Sequence, residues 1–88
     1  MKYYVYLLGS IKKSKIKTYV GYTSDLKNRI SKHNLGKGAK STRGREWKIL
    51  YSKKYLSKKK AMSVEYFLKK DRSRRKKILT KYLATNQL

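Results

Sequence analysis

Glu65 is the residue whose setting most demands a chemical explanation. Downstream of Ser57, the apolar residues Ala61, Met62, Val64 and Leu68 recur at helical spacing. At roughly 100° per residue Glu65 falls inside their arc. Lys59, Ser63 and Lys70 occupy the opposite side. A carboxylate turned toward a core is costly unless it is paired with a cation or bound to a metal. From the residues alone both remain open: a buried salt bridge to one of 26 lysines and arginines, or a ligand to a divalent ion. The acid count constrains the second. Asp25, Glu46, Glu65 and Asp71 are the only carboxylates, and two of them stand where helix ends are expected. Two-ion phosphodiester hydrolysis draws on several converging acids, so if this chain cuts phosphodiesters it should use one ion. Magnesium suits one carboxylate completed by waters and substrate phosphate oxygens, and manganese could substitute. One histidine and no cysteine argue against zinc.

Arg29 and His33, four residues apart, share one face of a helix whose neighbouring face, Leu26 and Ile30, should pack on a sheet. A guanidinium clamps phosphate oxygens through its planar fork, although one arginine in so basic a chain is ordinarily surface charge. A histidine so placed is also commonly no more than a hydrogen-bonded or solvent-facing residue. Tyr6 and Tyr19 are two of nine tyrosines, and a strand tyrosine is most often a packing residue. A phenol titrates near pH 10, so a tyrosine acting as a base needs nearby positive charge to lower its pKa. Gly21 is explained by room for a ligand or close packing.

The 88 residues suit one domain, and the formal charge of +22 opposes compaction enough to call for a polyanionic partner. Nucleic acid leads, with acidic lipid or protein behind, and charge alone does not choose between DNA and RNA. The absence of cysteine rules out disulfides. The apolar start at Met1–Leu8 is tyrosine-rich and lacks a small-residue cleavage site, so it is better taken as a buried strand than as a leader. No segment reaches the roughly 18 apolar residues of a membrane helix, and a cytoplasmic location without membrane contact is expected.

The elements that must position these groups follow from local pattern. Lys2 to Leu8 is apolar on both alternating faces, as in a strand covered on two sides. Gly9 to Lys17 is expected as a loop and Thr18 to Tyr22 as a second strand. Ser24 is the expected cap of a helix that runs to about Leu35 and stops at Gly36. Gly36 to Glu46 is expected to be a mobile loop, and Trp47 to Tyr51 a third strand. Ser57 and Ser73 are expected to cap two further helices. The order ββαβαα gives a small α/β fold, a three-stranded and largely antiparallel sheet flanked by helices. The domain should span residues 1–83, with 84–88 as a short tail.

Tyr4-Val5-Tyr6, Tyr19-Val20-Gly21, Arg29, His33 and Glu65 occur in an order and spacing that resembles the GIY-YIG endonuclease family. Tyr4 replaces the first glycine of the family pattern, and Val5 and Val20 replace its isoleucines. The stretch from Tyr19 through Arg29, followed by Lys32-His33-Asn34, is similar to small stand-alone bacterial members and to the Slx-type nucleases. The loop Gly38 to Gly44 and the Trp47–Tyr51 strand add to that likeness. The resemblance implies a divalent-metal-dependent endonuclease hydrolysing DNA. Glu65 would hold the ion, Arg29 a nonbridging phosphate oxygen, and Tyr19 would help activate water. Tyr6 would position that water or share the proton network, and His33 would support Tyr19 or contact phosphate. The products would carry 5′-phosphate and 3′-hydroxyl ends. Tyr22 stands where relatives often have lysine, and Asn86, close to the C-terminus, is not assigned the role of the asparagine that some relatives use.

Lys37, Lys40, Arg43 and Arg45 form one candidate nucleic-acid-binding edge, and Arg72, Arg74 and Arg75 another. Contacts to about six phosphates would give a log–log salt slope near −5. Nothing resembles a base-reading helix, so preference for branched or flapped shape is expected over sequence specificity. The competing possibility is a noncatalytic nucleic-acid-binding module of the same fold.

Overall fold

The structure, a computed structural model, describes residues 1–12 and 14–86, with Asn86 described for its backbone alone. The elements are β1 (Tyr3–Lys12), β2 (Lys15–Thr23), α1 (Leu26–Asn34), a short 3-10 turn (Lys40–Thr42), β3 (Lys48–Tyr55), α2 (Lys58–Lys70) and α3 (Arg72–Asn86). The sheet order is β2-β1-β3 with both pairings antiparallel, so the expected ββαβαα architecture is the observed one. Among the described residues no helix is long and apolar enough to cross a membrane.

Strand β1 lies in the middle because it is apolar on both faces. Val5 and Leu7 point to one side, where Val20, Ala61 and Leu68 complete a core roofed by α2 and edged by Ile78 of α3. Tyr6 and Leu8 point to the other, against Trp47, Tyr19 and the α1 residues Leu26 and Ile30. The two-residue strand period therefore sorts each triplet: Tyr6 and Tyr19 share the α1 side, Val5 and Val20 the α2 side. The outer strands carry lysines (Lys15 and Lys17 on β2, Lys48, Lys53 and Lys54 on β3), which discourage edge-to-edge pairing.

Several boundaries differ from the sequence expectation. The segment Gly9–Lys17 is not a loop: β1 and β2 continue as a ribbon to the Lys12–Lys15 pair, with Ser14 at φ 66°. Its cross-strand pairs, including Ile11 with Ile16, hold a stretch too polar to read as strand. Asp25, not Ser24, caps α1, its side chain accepting from the Asn28 amide at 3.1 Å. Asp71, not Ser73, caps α3 by accepting from the Arg74 amide at 3.0 Å. Ser57 caps α2 as expected. Of the expected tail 84–88, residues 84–86 continue α3, and 87 and 88 lie outside the described residues.

Helix α2 also departs from its expected apolar arc. Ala61 and Leu68 are buried, but Met62 is 47% exposed. The helix therefore rests on the sheet along a narrower line than its composition implies.

Candidate active site

A cleft of about 400 Å³ opens beside the edge strand β2, near the start of α1. Its lining includes Tyr6, Tyr19, Gly21, Arg29, Lys58 and Glu65. Four of the five expected catalytic groups thus converge on one space from β1, β2, α1 and α2. Each arrives for a local reason. Tyr6 and Tyr19 lie on the same sheet face, with ring centroids 6.5 Å apart. Arg29 leaves α1 at the margin of its buried face and stays exposed. Glu65 stands at the margin of the buried arc of α2, its side chain 18% exposed, with Lys69 Nζ 3.6 Å from Oε1.

His33, the fifth group, lies behind the cleft. It is 1% exposed and both ring nitrogens are engaged, so it does not face a phosphate. The hydroxyl of Thr42 donates to the Ala39 carbonyl at 2.8 Å. It must therefore accept from His33 Nδ1, 2.9 Å away, which places the imidazole proton on Nδ1. Nε2 is then an acceptor, and the Tyr6 hydroxyl donates to it at 3.1 Å. The His33 pKa lies below its ordinary value because burial disfavours the cation and Arg29 adds to the effect, which keeps this neutral tautomer in place.

Tyr6 departs from the expectation that surrounding cations lower a tyrosine pKa. Its phenol is pushed well above the ordinary range by burial first and Tyr19 next. Arg29 opposes the shift, and Glu65 adds to it. Tyr6 is therefore a protonated donor to His33 whose remaining lone pair is free to accept.

Two glycines make this packing possible. A Cβ on Gly21 would stand 2.3 Å from the Tyr6 hydroxyl oxygen, and one on Gly38 would stand 2.4 Å from His33 Nδ1. The loop carrying Gly38 is anchored to the helix and the following strand by hydrogen bonds that its sequence does not announce. Trp47 Nε1 donates to the Thr42 carbonyl at 2.8 Å, and the Trp47 amide donates to Asn34 Oδ1 at 2.6 Å.

The proposed phosphate-tracking cations divide. Lys37, Lys40 and Arg43 are exposed on the loop between α1 and β3. Arg45 is committed to structure: it donates to Ser10 Oγ (3.2 Å) and to the carbonyls of Ser10 (3.1 Å) and Lys15 (2.9 Å). Arg75 likewise donates to the carbonyls of Leu68, at 2.8 Å, and Lys69, closing the end of α2. Arg74 lies over the Tyr51 ring at 5.7 Å on the β3 side, whereas Arg72 lines a hollow beside β2. Arg75 lines the same hollow as Arg72, so within the second edge only Arg74 stands apart.

A family model described as the GIY-YIG catalytic domain matches residues 2–78, nearly the whole chain. The chain belongs to the GIY-YIG family. A UPF0213 protein of Streptococcus pyogenes serotype M3 is 45% identical over 87 residues, covering 98% of this chain and 89% of the relative. A UPF0213 protein of serotype M1 matches to the same extent. The solution NMR structure of UPF0213 protein BH0048 from Bacillus halodurans is 39% identical with a TM-score of 0.52, over 98% of this chain and 89% of that one. GIY-YIG domains form an endonuclease family, and each triplet of this member supplies one tyrosine to the cleft wall, Tyr6 from Tyr4-Val5-Tyr6 and Tyr19 from Tyr19-Val20-Gly21.

Among the described residues no three histidine or acidic side chains cluster, and Glu65 is the one carboxylate lining this GIY-YIG cleft. That donor set fits a hard divalent ion that keeps most of its coordination for water and phosphate oxygen. Sequence reasoning missed Lys58, which enters the cleft from the first turn of α2. Its place seven residues before Glu65, two helical turns, was the available signal. Asn34 was quoted only as part of a motif, yet its side chain clasps both backbone groups of Trp47.

Proposed function

We propose that this chain is a divalent-metal-dependent endonuclease that hydrolyses DNA phosphodiester bonds in the cytoplasm by a single-ion mechanism, favouring branched or flapped structures. The observation that carries this is the convergence of Tyr6, Tyr19, Arg29 and Glu65 on one cleft beside an edge strand. Membership of an endonuclease family supports it.

In this mechanism Glu65 holds a magnesium or manganese ion. Such an ion, when bound, supplies Lewis-acid stabilisation at the phosphate and leaving oxygen. Arg29 grips a nonbridging oxygen and stabilises the charge of the five-coordinate transition state. Lys58, on the same wall as Glu65, adds an ammonium to the phosphate. Tyr19, acting as its phenolate, accepts the proton of the attacking water, and the departing 3′ oxygen takes a proton from solvent. Tyr6 has its own proton committed to His33 and so offers a lone pair that orients the water. His33 and Thr42 act as positioning residues. Scission of the P–O3′ bond leaves 5′-phosphate and 3′-hydroxyl ends.

The test compares the wild type with Glu65→Gln on duplex, nicked, flapped and four-way DNA, with and without Mg²⁺. Equal binding with cutting lost in the variant is the expected result. Failure of the wild type to cut any of these substrates would leave a noncatalytic binding module.

A further inference from the structure

The exposed side of α2 carries apolar rings that the proposed hydrolysis does not use. Tyr66 is 51% exposed, Phe67 65% and Met62 47%. The two rings meet edge to face at 5.6 Å and 78°, and Lys70 Nζ sits 4.5 Å from the Tyr66 centroid. At ~100° per residue, Lys58, Lys69, Met62, Tyr66, Lys59 and Lys70 follow Glu65 around the helix in that order. A band of alternating cations and apolar groups thus starts at the cleft carboxylate and runs outward, with Phe67 beyond it.

We propose that this band is a binding platform for an unpaired nucleic-acid strand, with nucleobases stacking on Tyr66 and Phe67 and the neighbouring lysines neutralising its phosphates. The inference rests on the nuclease reading for its purpose, since it would hold a splayed strand beside the scissile phosphate. Base–aromatic stacking tolerates any sequence because every base has a π-face, and lysines interleaved with rings are the complement of a strand that alternates phosphate and base. Charge selects this occupant over a second copy of the chain. Docking two chains of net charge +22 through a lysine-rich face would bring like charges together.

The platform is tested by the anisotropy of a labelled oligothymidylate and of a blunt duplex of equal length. The protein is full-length and free of divalent ions, so no turnover is required. Tyr66→Ala/Phe67→Ala should weaken the single strand about 10-fold or more and change duplex affinity by less than about 2-fold. Lys59→Gln/Lys70→Gln should weaken both, with the salt slope on the single strand reduced by about 1.4. Tyr66→Trp should keep single-strand affinity, and unchanged thermal unfolding of each variant confirms its fold. Equal loss on both ligands in Tyr66→Ala/Phe67→Ala, or no loss in that variant, overturns the platform. A wild-type dimer in sedimentation that the Ala variant converts to monomer overturns it in favour of a second copy. Preferential single-strand loss in a protein that cuts nothing would retain the platform and discard the hydrolytic mechanism.

Discussion

Thr42→Val removes one hydroxyl and little volume, yet it should reach the cleft through three residues. Thr42 is 0% exposed, and its hydroxyl links the Ala39 carbonyl to His33 Nδ1. The Ala39 carbonyl keeps a bond from the Thr42 amide at 3.1 Å, so the group left without a partner is the Nδ1–H of His33. A lost neutral hydrogen bond costs about 1 kcal/mol and a buried unsatisfied donor about 1–3 kcal/mol. The sum, about 2–4 kcal/mol, corresponds in a domain of this size to a fall in Tm of about 10 °C or more. His33 can relieve part of that cost by moving its proton to Nε2. The Tyr6 hydroxyl would then lose its acceptor and turn its hydrogen toward the cleft. The expected outcome is a lowered Tm, a change in the long-range ¹H–¹⁵N pattern of His33 from Nδ1–H toward Nε2–H, and slower cleavage. Thr42→Ser should retain the wild-type tautomer. A wild-type His33 protonated on Nε2, or a Thr42→Val protein with unchanged Tm and imidazole spectrum, would refute the hydrogen-bond chain.

Three further outcomes can be checked separately. Arg29→Ala should slow single-turnover cleavage by at least about 100-fold, as loss of a transition-state charge donor does, while retaining the fold. Near-normal turnover would remove Arg29 from the site. Gly21→Ala should displace the Tyr6 phenol, lowering both Tm and cleavage rate, because the added carbon would lie 2.5 Å from Tyr6 Cζ. A wild-type rate in that variant would show that the position of Tyr6 is unimportant. Stability should fall as pH drops below about 6.5, the ordinary histidine value. With the folded-state pKa of His33 depressed, the unfolded chain binds more protons between the two values, so the contribution is present above the window and lost through it. Since His33 is the only histidine, His33→Gln should flatten a Tm profile between about pH 7.5 and 5.5; a flat wild-type profile would contradict the burial of its neutral form.

The fold was readable because β1 is apolar on both faces and a serine at, or within two residues of, each true cap marks the helix starts. What the residues could not disclose was where polar segments would be recruited. Gly9–Lys17 carries no strand signature, and only pairing across the ribbon makes it extended. The loop from Gly36 to Glu46 looked free because its anchors, Thr42 and the Asn34–Trp47 clasp, act through burial and backbone bonds. Likewise Arg45 and Arg75 were indistinguishable in sequence from solvated cations, although their guanidinium groups are spent on carbonyls. The site was readable to the extent that spacing fixes a face. That placed Tyr6 with Tyr19 and Arg29 beside His33, but it did not reveal that His33 sits behind the phenol, away from the phosphate-facing surface.

The alternative left open for Glu65, a structural ion pair, can now be weighed. Its partner Lys69 is 52% exposed, four residues along the same helix, and 3.6 Å away. Such a pair contributes about 0.3–0.5 kcal/mol. Against this stands the position of the carboxylate, on the wall of a cleft that also holds Arg29 and Lys58. A phosphate bound within ~4 Å of it would be repelled by about 4 kcal/mol at an effective dielectric constant near 20. For the phosphate-binding role proposed for this cleft, the salt bridge is roughly an order of magnitude too weak to offset that repulsion. A divalent ion held by Glu65, as proposed, would reverse the sign of the larger quantity and give the carboxylate a chemical reason to occupy the wall.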